Sequence, residues 1–125
     1  MGSKQLLLID DNEDNQKLIK TAIEAASNWK VSVAENGVQG VTKAESERPD
    51  AILLDFVMPG LDGFTVYELL KSNLFTRTIP IIFITGVALD RVVARLETTS
   101  AKGIIIKPLD SINLHSQIAQ MCQWK

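Results

Sequence analysis

Hydrophobic positions along the chain follow two alternating patterns. Five short runs have strand character: Gln5–Ile9, Lys30–Ala34, Ala51–Leu54, Ile81–Ile84 and Gly103–Ile106. Four are nearly continuous apolar stretches, the pattern of strands buried on both faces of a parallel sheet. In Lys30–Ala34, Val31, Ser32 and Val33 alternate instead, which suits a strand at a sheet edge. Between the runs the spacing becomes helical. In Asp14–Ser27, Leu18, Ile19, Ala22, Ile23 and Ala26 share one side, predicting a core-facing helix. Over 88–99, Ala88, Leu89, Val92, Val93 and Leu96 share one arc, and Asp90, Arg91, Arg95 and Glu97 the other. Phe64–Leu74 and Leu109–Cys122 also read as helices, and Val38–Arg48 is marked by Val38, Val41 and Ala44. Turn signals separate these elements at Asn36-Gly37, Arg48-Pro49, Pro59-Gly60, Asp62-Gly63 and Ile79-Pro80. The stretch Pro59 to Gly63 is read as a turn that sets up the third helix, with Asp62 near its N-terminus.

Strand–helix alternation repeated five times predicts an α/β fold: a (βα)5 doubly wound parallel sheet of five strands, with right-handed crossovers and helices on both faces. A length of 125 residues fits one domain over 1–125, with no output domain expected after the fifth helix.

Composition narrows the function classes. Thirteen Lys and Arg against fifteen Asp and Glu leave a net charge of −2, without the basic footprint of a nucleic-acid module. A hydrophobic share of 46% with 22% charged residues argues against disorder. The single cysteine, Cys122, excludes an internal disulfide and a Cys-based zinc cluster. The first apolar run, Leu6 to Ile9, stops at Asp10-Asp11, too short for a signal-peptide core, and the other runs fall far short of the ~20 residues of a membrane span. The expectation is a cytoplasmic protein that binds neither membrane nor nucleic acid.

Acidic and cationic residues occupy particular places in this layout. Asp10 and Asp11 follow the first strand, Asp55 ends the third, Thr85 follows the fourth and Lys107 follows the fifth. In an open parallel sheet, ligands bind beyond the carboxyl ends of the strands, where the strand order reverses. If strands one, three, four and five are neighbours, all five side chains converge on one pocket. That requires the order 2-1-3-4-5, which also leaves the alternating second strand at an edge.

Asp10-Asp11, the run Leu54-Asp55-Phe56-Val57-Met58-Pro59-Gly60-Leu61-Asp62-Gly63, Thr85-Gly86 and Lys107-Pro108 lie in the order and spacing of a known family. Over essentially its whole length the chain resembles the receiver domain of two-component response regulators, of the stand-alone, chemotaxis-regulator-like type. The resemblance implies a flavodoxin-like fold, with Asp55 as phosphoacceptor, Asp11 as direct Mg2+ ligand and Asp10 as its acidic companion. It further implies that the Val57 backbone carbonyl completes the metal site, that Thr85 is the switch hydroxyl, that Lys107 contacts the phosphoryl group and that the Lys107–Pro108 bond is cis. The implied partners are a histidine kinase or histidine phosphotransfer protein and a downstream protein target, with no independent substrate turnover.

The chemistry of the residues agrees. Three carboxylates in one pocket repel each other, and Mg2+, a hard cation, favours one or two carboxylates together with phosphate oxygens and water. With Lys107 and the ion the pocket is formally neutral, and a phosphoryl group of about −1.5 to −2 takes it net negative. The metal and Lys107 then stabilise charge on the transferring oxygens. A carboxylate can act as the covalent nucleophile, as in aspartyl phosphates. Thr85 would donate a hydrogen bond to a phosphoryl oxygen and draw its loop inward. Taken singly, an Asp-Asp pair is often a loop or a helix cap, and Lys-Pro and Thr-Gly are often surface punctuation. Two other classes use similar residues. A haloacid-dehalogenase-type phosphatase would place its nucleophile in an Asp-x-Asp pattern after the first strand, which Asp10-Asp11-Asn12 does not supply. A flavodoxin-like FMN module would need a Ser/Thr/Gly-rich phosphate loop where this chain has acids.

The sequence also departs from the family's habits. Ile104 stands where receivers usually carry Tyr or Phe, Val57 is apolar where many relatives are polar, and Thr98-Thr99-Ser100-Ala101 lacks the usual glycine. From Ser111 to Trp124 there is no charged residue; Asn113, Ser116, Gln117, Gln120 and Gln123 form the polar side, and Leu114, Ile118, Met121 and Trp124 lie on a wide apolar arc. That arc is read in two ways: as a partner surface, including a homodimer through the fifth helix and its neighbouring face, or as a helix tucked under the C-terminal tail. His115 and Cys122 are read as packing residues and Trp29 as a cover over a sheet edge.

Overall fold

The computed structural model describes residues 3–56, 62–86, 90–107, 109–110 and 112–124. In chain order the elements are β1 (Gln5–Ile9), α1 (Glu13–Ala26), β2 (Lys30–Ala34), α2 (Gly37–Glu47), β3 (Ala51–Asp55), α3 (Gly63–Ser72), β4 (Ile81–Thr85), α4 (Asp90–Glu97), β5 (Gly103–Ile106) and α5 (Leu114–Met121). The strands form one parallel sheet in the order β2-β1-β3-β4-β5. The alternating strand, β2, pairs with β1 and lies at the edge, as its pattern predicts.

Alternation along the strands divides the core into two layers. Leu6, Leu8, Leu53, Ile82, Ile84 and Ile105 face Ile19 and Ile23 of α1 and Leu114 and Ile118 of α5. Leu7, Ile9, Ile52, Leu54, Ile81 and Phe83 face Ala44 of α2, Val66 and Leu70 of α3 and Leu96 of α4. Because β1, β3 and β4 are covered on both sides, they need unbroken apolar runs.

Three helices start where short polar side chains cap them. Asn12 Oδ1 accepts the Asn15 N–H at 2.9 Å, Asn36 Oδ1 that of Gln39 at 2.8 Å, and Asp62 Oδ1 that of Thr65 at 2.8 Å. Asp62 therefore takes the place expected of it; Pro59 and Gly60 of the same turn lie outside the described residues, as do Ala88 and Leu89 at the expected start of α4. α5 begins at Leu114, later than the spacing predicts. The Asn113 N–H donates to the Asp110 carbonyl at 3.2 Å, and its side-chain amide to the Asp110 carboxylate at 2.8 Å. Such local bonds compete with helix formation.

Trp29 corrects the sequence reading. Instead of covering an edge it is 2% exposed and belongs to the core. Its ring meets Trp124 edge-on at 5.4 Å between centroids and His115 at 6.0 Å. Trp124 reaches this position because Gln123 adopts a left-handed conformation (φ 60°) after α5. The Gln123 N–H then bonds the Gln120 carbonyl at 3.1 Å and the Trp124 N–H the Ala119 carbonyl at 2.8 Å, a Schellman closure. Lys4 Nζ lies 4.7 Å from the Trp124 ring centroid. Met121, Cys122 and Trp124 thus pack partly against the core, and burial pushes the Cys122 thiol up from its ordinary range.

α3 sits close against the end of β3 because its first residue has no side chain. A Cβ on Gly63 would lie 2.6 Å from both the Asp55 carbonyl oxygen and Phe56 Cα, backbone atoms with no rotamer to yield. Gly63→Ala is therefore expected to lower stability by about 1–3 kcal/mol, read from the urea midpoint at unchanged m-value.

Candidate functional site

The chain leaves β1 for the edge strand β2 and returns to β3 on the other side of β1, so the strand order reverses between β1 and β3. A crevice opens there beyond the carboxyl ends of the strands. Asp10, directly after β1, is buried, and its N–H donates to the Ala34 carbonyl at 3.1 Å. Asp55, the last residue of β3, is 3% exposed, and Asp11 is exposed at the mouth. Carboxylate oxygens of Asp10, Asp11 and Asp55, one from each, all lie within 4.8 Å of one another.

Lys107 enters from β5. Its N–H donates to the Thr85 carbonyl at 2.8 Å, and its Nζ stands 3.7 Å from Asp55 Oδ2, an ion-pair distance beyond direct hydrogen bonding. Thr85 ends β4 fully buried, one position past the Asp55–Ile84 pair in the sheet register. The structure thus brings Asp10, Asp11, Asp55 and Lys107 together and sets Thr85 at the end of the adjoining strand. Val57 and the Lys107–Pro108 bond, both assigned roles by the resemblance, lie outside the described residues.

Neither acid caps α1; Asn12 does. The Asn12 N–H instead donates to Asp10 Oδ1 at 2.9 Å, and Gln16 Nε2 donates to the Asp10 carbonyl at 2.6 Å. These two residues orient Asp10, a role the sequence reading missed. Asn12 carried a visible signal, a capping residue just before an amphipathic segment, whereas Gln16 looked like ordinary helix surface.

The donor set fits a hard cation. All three side chains offer oxygen, and Asp10 Oδ2 is buried with no hydrogen-bond partner among the described residues. A buried acceptor left in that state carries an appreciable desolvation cost. Burial pushes the Asp10 carboxyl up from its ordinary range and the Asp11 charge adds to this, while the hydrogen bond from the Asn12 N–H and the Lys107 charge pull it down. A divalent ion bound to these oxygens would offset both the burial and the repulsion.

The fold and this crevice define a class: a doubly wound α/β protein with an acid cluster and a facing lysine at the topological switch point. The chain belongs to the response regulator receiver domain family, which it matches over residues 6–119. Response regulator PleD of Caulobacter vibrioides is 36% identical over 125 residues and covers 98% of this chain, which in turn spans 27% of PleD. Polar-differentiation response regulator DivK of Brucella anthropi is 33% identical over 106 residues, covering 85% of each protein. Among solved structures, the receiver domain of sensor histidine kinase PA1611 from Pseudomonas aeruginosa superposes with a TM-score of 0.86 at 27% identity, covering 98% of this chain and 99% of that one. That structure has a magnesium ion coordinated in its active site cleft. The family match identifies the chain as a response regulator receiver domain, and the phosphatase and FMN-binding alternatives are not favoured.

The raised Asp10 carboxyl has a stability consequence with a definite sign. Folding favours the protonated form more than the unfolded chain does, so the destabilisation is complete above the folded pKa and relieved as pH falls through it. In chelator-treated protein at pH 7, Asp10→Asn is expected to raise stability by about 1–2 kcal/mol. Thermal melts over a pH series check this, with the gap to the wild type shrinking as pH falls.

Proposed function

We propose that this chain takes a phosphoryl group onto Asp55 from a histidine kinase or histidine phosphotransfer protein and then signals through contact with a downstream protein target. The observation that carries the assignment is the asymmetry of the acid cluster. Of the two buried carboxylates in the cluster, Asp10 and Asp55, it is Asp55 that ends a strand and has an ammonium group 3.7 Å from its Oδ2. In the transfer a carboxylate oxygen of Asp55 bonds to phosphorus as the bond to the donor imidazole nitrogen breaks, the electron pair leaving with the imidazole. Lys107 balances charge on the phosphoryl oxygens, and the Thr85 hydroxyl donates to one of them. Asp10, Asp11, Asp55 and the Val57 carbonyl would hold Mg2+, which supplies Lewis-acid neutralisation of the phosphoryl charge.

Turnover of an independent substrate is not part of this role. Among the described residues no helix is long and apolar enough to cross a membrane, and the proposed setting is the cytoplasm. The apolar side chains left exposed around α5 and β5, Ile106 at 45% and Ile112 at 80%, support the finer proposal of a homodimer through the fifth helix and its neighbouring face.

Incubation with acetyl phosphate and Mg2+ should add one labile phosphoryl group by intact mass, absent from Asp55→Asn and from chelated samples. Equal labelling of Asp55→Asn would remove the assignment, and steady phosphate release from many monoesters would favour the phosphatase instead. Asp11→Ala is expected to weaken Mg2+ binding at least about tenfold by titration. For the homodimer, sedimentation velocity should show association on adding beryllofluoride, a phosphoryl mimic; a strict monomer in both states removes that part.

A further inference from the structure

The end of α4 is built without the glycine that would ordinarily stop a helix. Side-chain hydroxyls take its place: Thr98 Oγ1 donates to the Arg95 carbonyl and Thr99 Oγ1 to the Leu96 carbonyl, each at 2.6 Å, and the Ala101 N–H donates to Thr99 Oγ1 at 3.2 Å. Ser100 is held differently. Its N–H donates to the Tyr67 phenol oxygen at 2.7 Å, and its Oγ shares a second hydrogen bond with the same oxygen, also at 2.7 Å. Tyr67 belongs to α3, is 8% exposed, and reaches across 33 positions of sequence to make this two-point grip.

The ring of Tyr67 is fixed as firmly as its hydroxyl. It packs on Phe83 at 5.4 Å between centroids, and Phe83 packs edge-on against Phe56 at 6.4 Å. Phe56 follows Asp55 and Phe83 precedes Thr85 by two positions, so one column of rings runs from the acid crevice to the end of α4. Beside α4, towards β5, lies a hollow of about 430 Å³ lined by Val93, Leu96, Ala101 and Ile104. The end of α4 is therefore pinned while one flank has space.

We propose that Tyr67 is a positioning residue for α4. Its hydroxyl anchors the chain at Ser100, three residues past the end of the helix, so that a displacement beginning at Thr85 turns α4 about that anchor towards the hollow. The proposal rests on the phosphoacceptor reading above. With eight residues α4 is about 12 Å long, so ~2 Å of movement at its free end turns it by about 10°. Without the anchor the same movement would be lost in sliding of the whole helix.

Tyr67→Phe keeps the ring and deletes both hydrogen bonds, and hydrogen exchange with and without beryllofluoride reads the consequence. In the wild type the mimic should alter exchange over 93–97 and leave 99–102 unchanged. In Tyr67→Phe, amides 99–102 should exchange about tenfold faster, and the mimic-dependent change should spread into them, while acetyl phosphate labels Asp55 at the wild-type rate. A purely structural role would speed exchange equally in both states without that spread. Ser100→Ala, which keeps its N–H bond to the phenol, should show a smaller effect of the same kind and decides the matter if Tyr67→Phe does not fold. A wild type that responds to the mimic, with variants responding identically, overturns the Tyr67 proposal alone. A wild type that neither labels nor responds overturns the phosphoacceptor reading and this proposal with it.

Discussion

Three carboxylates crowd the carboxyl end of the sheet, and one of them, Asp10, is buried with an oxygen that no described residue satisfies. Much of the surrounding structure answers that electrostatic conflict. The Asn12 N–H and the Lys107 ammonium ease the charge from within the protein, and the oxygen-only donor set leaves the remainder to a cation. A site that costs stability when bare couples its own occupancy to the stability of the fold. Evolutionary retention need not be invoked to see why these acids point to function: a core of this quality gains nothing structural from burying them.

The rest of the fold delivers the acids to that place. β1, β3 and β4 are buried on both faces, which fixes their register and therefore the height at which Asp10, Asp55 and Thr85 emerge. Close packing of Gly63 against the Asp55 carbonyl seats α3 on β3. Tyr67 on the same helix then holds the end of α4. One helix thereby touches both the chemistry and the element beside it.

Much of this was legible in the residues. Continuous apolar runs set against one alternating run place β2 at the edge, and the acids at strand ends mark the crevice. What escaped was information carried by side-chain reach. The spacing of Leu109–Cys122 gave no warning that Asp110 and Asn113 would bond each other and delay α5. Trp29 looked like a surface cover because its partner, Trp124, lies 95 positions away and is brought back by a left-handed Gln123. The Tyr67–Ser100 grip was equally invisible, since neither residue belongs to a motif and their bond depends on how two helices settle over Phe83.

The two tryptophans of this chain have an optical consequence. Both sit in one edge-on pair at the end of the sheet where the strands begin, with His115 beside them, and the acids lie where the strands finish. Five-residue strands separate the two ends by roughly 16 Å. Intrinsic emission from this protein therefore watches the docking of the tail, and leaves the acidic crevice spectroscopically dark to that probe.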